Sequence, residues 1–327
     1  MKEADKKTIE ENSKKVADSL LVSLKDAQII VLKAIVGGEI KNINESEITD
    51  WINDRLIPNT VFISFDGYAK MCVDALKIAS VTAATDYGSS RQRDLGQLWA
   101  DMTRGYLGEY AFQLFLNQNW NKIIKLGHES GDLAEYLPSD IEKVLDENNN
   151  WRNANILLSI KTTKFNGVWL DIPGDQFNHS DVHALVKVAA GRDHLFAYLK
   201  DLSVFRDKVL KSGIDKGSLT EDQAKELFDK LPDFSPIPAY ICGFVKKANS
   251  YVELPYCGIK GTKNYTITQW NGPIKAGDLD RIKTAESVSG SVNFEGIGGF
   301  AHDNGYLFNT GNLQWTKEAW NSVVSLI

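Results

Sequence analysis

The stretch from Ile156 to Phe165 reads ILLSIKTTKF. It opens as an apolar run and turns polar at alternate positions. On a strand, that places Ser159, Lys161 and Thr163 on one face and Leu158, Ile160 and Thr162 on the other. A lysine set into such a strand is costly to bury, which points to a task. Carboxylates precede it in suitable segments. Asp140 and Glu142 alternate in PSDIEKV, a strand-like segment, and Glu109 lies in RGYLGEYAFQLFL, a helical one. The interval from Asp140 to Lys161 accommodates two antiparallel strands joined by a turn in DENNNWRN, which predicts the aspartate beside the lysine. A helix packed on that sheet would aim Glu109 at the same spot. Carboxylates of this kind bind Mg²⁺ through hard oxygens. The metal would stabilise charge on a phosphorane-like transition state. A partly buried lysine with a lowered pKa suits orientation or deprotonation of the attacking water.

Each residue also has an ordinary reading. Lys161 could reach from a strand end into water. Glu109 could sit on a solvent-facing helix surface, and Asp140 could cap a turn after Pro138. Their order along the chain argues for chemistry: helix glutamate, strand aspartate, hairpin, strand lysine. On these residues the chain resembles the PD-(D/E)xK nuclease superfamily, specifically its type II restriction endonucleases. The resemblance is carried by Glu109 in LGEYA, Asp140 in PSDI and Lys161 in LLSIKTT, and it covers roughly Asp94 to Leu199. It implies a restriction-endonuclease-like core and Mg²⁺-dependent hydrolysis of double-stranded DNA at a specific sequence. It also implies Asp140 and the Ile160 carbonyl as metal ligands, Glu109 as an accessory ligand, and Lys161 near the nucleophilic water. One position departs from the family: the acid two residues before the lysine is Ser159 here. Glu109 or Glu142 could supply the missing carboxylate. Asp132 in ESGDLAEYL rivals Asp140, which is preferred because a strand-like segment follows it directly.

Arg91, Arg93 and Arg104 cluster in GSSRQRDLGQLWADMTRG, at the start and inner part of a long helix. Basic residues at a helix N-terminus make a phosphate site, although Asp94 and Asp101 are alternative partners. Lys164, at the end of the lysine strand, and Lys263, in IKGTKNYTITQWNG, are further candidates for DNA contacts. His179 and His183 in HSDVH stand four apart but lack the HExxH pattern of zinc hydrolases. The glycines of NFEGIGGF lack the context of a nucleotide loop.

The elements that must position these residues fall into three segments: helical over 1–90, a nuclease core with a helical insert over 91–235, and a β-rich region over 236–327 that could read DNA. Helical spacing runs from Thr8 to about Val36, stopped by Gly37 and Gly38. Asn44 followed by Glu47 predicts a helix start, as does Thr220 followed by Gln223. Asp66 predicts the cap of a helix closing near Gly88, and a long helix follows from Asp94 to about Asn117. Its Gly105 and Gly108 suggest close packing. WLDIP, HALVKVAA and HLFAYLK read as strands, SPIP as a linker and TKEAWNSVVSLI as a short helix. The expected fold is α/β, a mixed central sheet flanked by helices.

The chain has 327 residues, a formal charge of −6 and a pI of about 5.5, which excludes non-specific coating of nucleic acid and leaves room only for a local basic cleft. Cys72, Cys242 and Cys257 are scattered, as in a reduced cytosolic protein. No apolar run is long enough to span a bilayer, and the charged opening MKEADKKTIEENSKKVADSL predicts a cytoplasmic protein without a membrane. A homodimer is expected, because a two-fold protein matches a palindromic site. The alternatives are a structure-specific repair or recombination nuclease and, motivated by Ser159, a catalytically weak DNA-binding protein.

Overall fold

The computed structural model describes residues 3–82, 95–127, 139–247, 256–299 and 304–327. Two helices open the chain, α1 (Glu3–Leu20) and α2 (Leu24–Val36), where the spacing predicted one. The break is local. Leu21 takes a left-handed φ of 56°, and the Ser23 hydroxyl accepts the Asp26 N–H to cap α2. A serine with an acid three residues on is a start signal that interrupts the apolar stripe. Next, α3 (Glu45–Asp50) starts at Asn44 as predicted, with the Glu47 N–H donating to the Asn44 side chain at 2.8 Å. It runs into a π-helical turn, Trp51–Leu56, that ends ahead of Pro58. Strand β1 (Thr60–Ile63) leads to α4 (Phe65–Thr82), whose first turn is held by the Ser64 hydroxyl accepting the Gly67 N–H, not by Asp66. Its expected end at Gly88 lies outside the described residues. The long helix is α5 (Leu95–Trp120).

Then β2 (Ile124–Leu126), β3 (Ile141–Leu145) and β4 (Trp151–Arg152) form a small antiparallel sheet. They are followed by β5 (Leu158–Lys164), β6 (Trp169–Pro173), α6 (Gly174–Phe177) and β7 (Val182–Val188). HLFAYLK, expected as a strand, is helix α7 (Arg192–Asp201). The Gly191 N–H donates to His194 Nδ1 at its start, and the adjacent Ala197 and Tyr198 are both buried, which strand alternation would not give. A π-helical turn, Phe205–Leu210, then continues into α8 (Lys211–Asp215), and α9 (Glu221–Asp229) carries the predicted Thr220–Gln223 cap. SPIP is not a linker: Pro238 lies inside β8 (Ile237–Lys246), opposite Phe62 of β1. The remainder comprises β9 (Cys257–Lys260), β10 (Tyr265–Gln269), β11 (Asn271–Lys275), α10 (Asp278–Ala285), β12 (Val292–Phe294), β13 (Asn304–Asn309) and α11 (Lys317–Val324).

The fold is α/β, with a mixed central sheet flanked by helices. Its order is β1-β8-β7-β5; β7 runs parallel to β5, and β8 runs antiparallel to both β7 and β1. Every residue of β7 is buried, as expected of a strand covered on both faces. One face packs with α4, α5 and α11 around Phe112, Phe115, Phe244 and Trp320. The other packs under α1, α2 and α3. The sheet takes β1 from the first expected segment, β5 and β7 from the second and β8 from the third, so residues 90 and 235 do not bound it. β6 joins β11 and β13, and β9, β10 and β12 form a further small sheet. Among the described residues no helix is long and apolar enough to cross a membrane.

Under the N-terminal helices lies a buried charge cluster. The Glu39 carboxylate accepts from Lys187 Nζ at 2.9 Å, the Tyr240 hydroxyl at 2.8 Å and Trp51 Nε1 at 3.0 Å. Arg55 lies 3.8 Å from it and donates to the Cys242 and Thr310 carbonyls at 3.1 and 2.7 Å. Burial pushes the Glu39 carboxyl up, but the Lys187 and Arg55 charges outweigh it and hold the pKa at about 2. The cluster ties the end of α2 to the sheet and to the segment after β13.

Candidate active site at the edge of the lysine strand

β5 is the edge strand of the central sheet, and its alternation follows the sequence. Leu158 and Ile160 are buried against α5, while Ser159 and Lys161 are half-buried on the other face. Thr162 meets α5 directly: its hydroxyl donates to the Gly105 carbonyl at 3.2 Å. A Cβ on Gly108 would fall 1.8 Å from that hydroxyl oxygen, so the glycine lets helix and strand touch. Glu109 is the next residue on α5 and is half-buried.

The predicted antiparallel pairing of the Asp140 and Lys161 strands does not occur. β3 pairs with β2 and β4, and β5 pairs with β7, with Lys161 opposite Leu185. The two residues preceding β3 make the contact instead. The Asp140 N–H donates to the Leu158 carbonyl at 2.9 Å, and the Ile160 N–H donates to Asp140 Oδ2. Ser139 Oγ also accepts the Leu158 N–H at 3.3 Å. Asp140 is thereby clipped to the open edge of β5. An edge left bare would invite another strand. In an extended strand a residue's N–H and C=O project to the same side, so the Ile160 carbonyl shares this edge with Asp140.

The Lys161 ammonium donates to Gln176 Oε1 of α6 at 2.5 Å. Burial lowers its pKa below the ordinary lysine value, against the opposing charges of Asp140, Asp171 and Glu109. Glu109 and Asp140, chosen from sequence, therefore lie within electrostatic reach of the Lys161 ammonium. Asp171 of β6 and Gln176 were missed. A charged residue in the middle of the apolar run WLDIP was the available signal for Asp171; Gln176 carried none. Glu142 points elsewhere and pairs with Lys125 at 2.8 Å, and Asp132 lies outside the described residues. His183 lies on β7, stacked on Phe177 with Nε2 3.2 Å from the Phe177 carbonyl. Burial depresses its pKa to about 4, so it is a neutral support for the turn that delivers Gln176.

A groove of about 500 Å³ opens beside Lys161. It carries Lys33, Arg104 and Lys164 besides Lys161, against Asp171 and Glu295, so positive charge prevails locally in an acidic chain. Arg104 pairs with Asp101, its alternative partner, at 3.3 Å through Nη1, while its Nε is shielded from solvent and makes no hydrogen bond among the described residues. Arg104 and Lys164 thus flank the site. Lys263 does not: it is exposed between β9 and β10, away from this groove. Arg91 and Arg93 lie outside the described residues.

The donors fit Mg²⁺ by chemistry. The Asp140 carboxylate and the Ile160 carbonyl share one edge, and Asp171 and Glu109 add hard oxygens nearby. Among the described residues no three His, Cys, Asp or Glu side chains form a ready metal cluster. Mg²⁺ asks for less, since it keeps several waters and takes one or two protein carboxylates together with substrate phosphate.

A second cavity, of about 540 Å³, holds His194 and Ser235. Their Nε2 to Oγ distance is 3.4 Å, but His194 Nδ1 accepts the Gly191 N–H, so the imidazole proton sits on Nε2. The ring cannot take the serine proton, and this pair is structural.

No protein-family model, curated protein or solved structure matches this chain.

Proposed function

We propose that this chain is an Mg²⁺-dependent endonuclease of the type II restriction class, hydrolysing phosphodiesters of double-stranded DNA at a specific sequence in the cytoplasm, as a homodimer. The observation that carries the reading is the half-buried Lys161 ammonium at an open strand edge, with the Asp140, Asp171 and Glu109 carboxylates acting on it and a basic groove alongside. Asp140 and the Ile160 carbonyl would hold the metal, with Asp171 or Glu109 supplying the carboxylate that Ser159 lacks. A bound Mg²⁺ supplies stabilisation of the negative charge that builds on the phosphate. Lys161, steadied by Gln176, orients the attacking water, and its lowered pKa favours proton transfer. Arg104 and Lys164 hold flanking phosphates and fix the duplex.

The test is a digest of phage DNA with Mg²⁺ and with EDTA. Discrete fragments that require the metal are expected. Full cleavage in chelator would refute the metal site. Cutting only at branches or ends would replace restriction by repair chemistry. Tight binding without cutting would indicate that Ser159 marks a DNA-binding protein that has lost catalysis.

A further inference from the structure

Across the groove beside Lys161, Lys33 of α2 meets Glu295, which directly follows β12, at 2.6 Å. The two are far apart in sequence, and both line the cavity that holds Lys161 and Arg104. Each side chain keeps about a quarter of its surface exposed, 25% and 27%, so solvent or a ligand can reach the pair. Lys33 rides on a fixed helix, whose end is anchored by the buried Glu39 cluster and by the Gly311 N–H donating to the Gly37 carbonyl at 2.8 Å. The Glu295 backbone is held on both sides, its N–H donating to the Ile267 carbonyl and its carbonyl accepting from Trp169 Nε1, each at 2.9 Å. The turn after it contains Gly296 and Gly298 at φ of 79° and 73°. Among the described residues the Glu295 carboxylate has Lys33 as its one ion-pair partner, at the solvent-exposed side of the groove.

We infer that Lys33 is a phosphate-binding residue for the strand flanking the cut bond, and that Glu295 occupies its ammonium until DNA arrives. This rests on the nuclease reading and adds a subsite and a latch to it. The carboxylate stands where a phosphodiester oxygen would sit, and both are anionic acceptors for the same ammonium. DNA entering the groove takes Lys33, and Glu295 turns out to solvent, away from the incoming negative charge. A groove held by its own carboxylate discriminates against weak anions and yields to a polyanion that engages Arg104 and Lys164 together with Lys33.

The experiment measures duplex affinity in Ca²⁺ over a range of salt for wild type, Lys33→Gln, Lys33→Arg, Glu295→Gln and the double variant Lys33→Gln/Glu295→Gln. Thermal unfolding of each variant confirms that it is folded. Lys33→Gln should lower the slope of log affinity against log salt by about 0.9, the loss of one phosphate contact, and Lys33→Arg should keep it. Glu295→Gln should tighten binding by roughly threefold to tenfold, within the span of coupling between contacting residues. In the Lys33→Gln background that gain should largely vanish. An unchanged salt slope in Lys33→Gln overturns the phosphate contact. An undiminished gain from Glu295→Gln without Lys33 overturns the latch and reduces Glu295 to general repulsion. If wild type binds and cuts DNA, either result removes only this inference. If wild type neither binds nor cuts, the nuclease reading fails, and this inference fails with it.

Discussion

Lys161 sits between two partners of different kind: Gln176, which takes its ammonium directly, and a set of carboxylates that act on it through space. Removing Gln176 should therefore loosen the lysine without touching DNA. Gln176→Ala is expected to slow cleavage by about tenfold to a hundredfold, the usual cost of losing an orienting partner, with gel-shift affinity unchanged. The missing acid gives a second prediction. Ser159→Ala should keep appreciable activity, whereas Glu109→Ala or Asp171→Asn, whichever removes the second ligand, should lose most of it. Rates for the three variants decide this, and a dead Ser159→Ala beside two active acid variants would assign the ligand to Ser159. At this scale the sequence was legible where strand alternation sets which face a residue takes, as at Lys161 and Ile160. Asp171 was signalled only by a charge within an apolar run, and Gln176 was hidden, because the chain returns to the lysine through a turn and another strand, which local spacing does not report.

Among the elements, the contact of α5 with β5 brings Glu109 near the lysine strand, and its two glycines serve it differently. A side chain on Gly108 would collide with Thr162, whereas among the described residues nothing outside the helix's own nearby backbone lies within 4 Å of a Cβ on Gly105. Gly108→Ala should cost about 1–3 kcal/mol through overpacking and lower activity with it. Gly105→Ala should stabilise by about 0.4–1 kcal/mol, as alanine does at an unstrained helical position. Urea unfolding of both variants checks the contrast, and equal effects would contradict the contact. Helix starts at Asn44 and Thr220 could be read from their side chains. Less legible were joins governed by tertiary context. The cap at Ser23 split an apolar stripe that looked continuous. Pro238 was absorbed into β8, and HLFAYLK became helical because Ala197 and Tyr198 face the core together. The Asp140 contact survives although its strand joins another sheet, because the two residues ahead of β3 clip β5 by themselves.

For the whole molecule, an acidic chain carries a basic groove among its described residues, and the N-terminal helices beside it are fastened by Glu39, Lys187 and Arg55 beneath them. The Glu39 carboxyl is depressed from 4.5 to about 2 by folding. A depressed acid contributes stability that is present above its unfolded value and is lost as pH falls through the folded one. Glu39→Gln should therefore destabilise by about 3–5 kcal/mol near neutrality, because Lys187 and Arg55 are left buried without their anion. The deficit relative to wild type should shrink between pH 4.5 and about 2. Urea midpoints across that range test this, and a pH-independent deficit would show that Glu39 acts through packing alone.

Lys161 carries the proposed reading, as the group that handles water at the cleaved phosphate. The direct measurement pairs affinity for the cleavage site in Ca²⁺ with cleavage rate in Mg²⁺, for wild type and Lys161→Ala. Binding should persist, since phosphate contacts elsewhere hold the duplex. Cleavage should fall by about a hundredfold to ten-thousandfold, the range of general acid–base help. An unchanged cleavage rate in a folded, DNA-binding Lys161→Ala protein would contradict it.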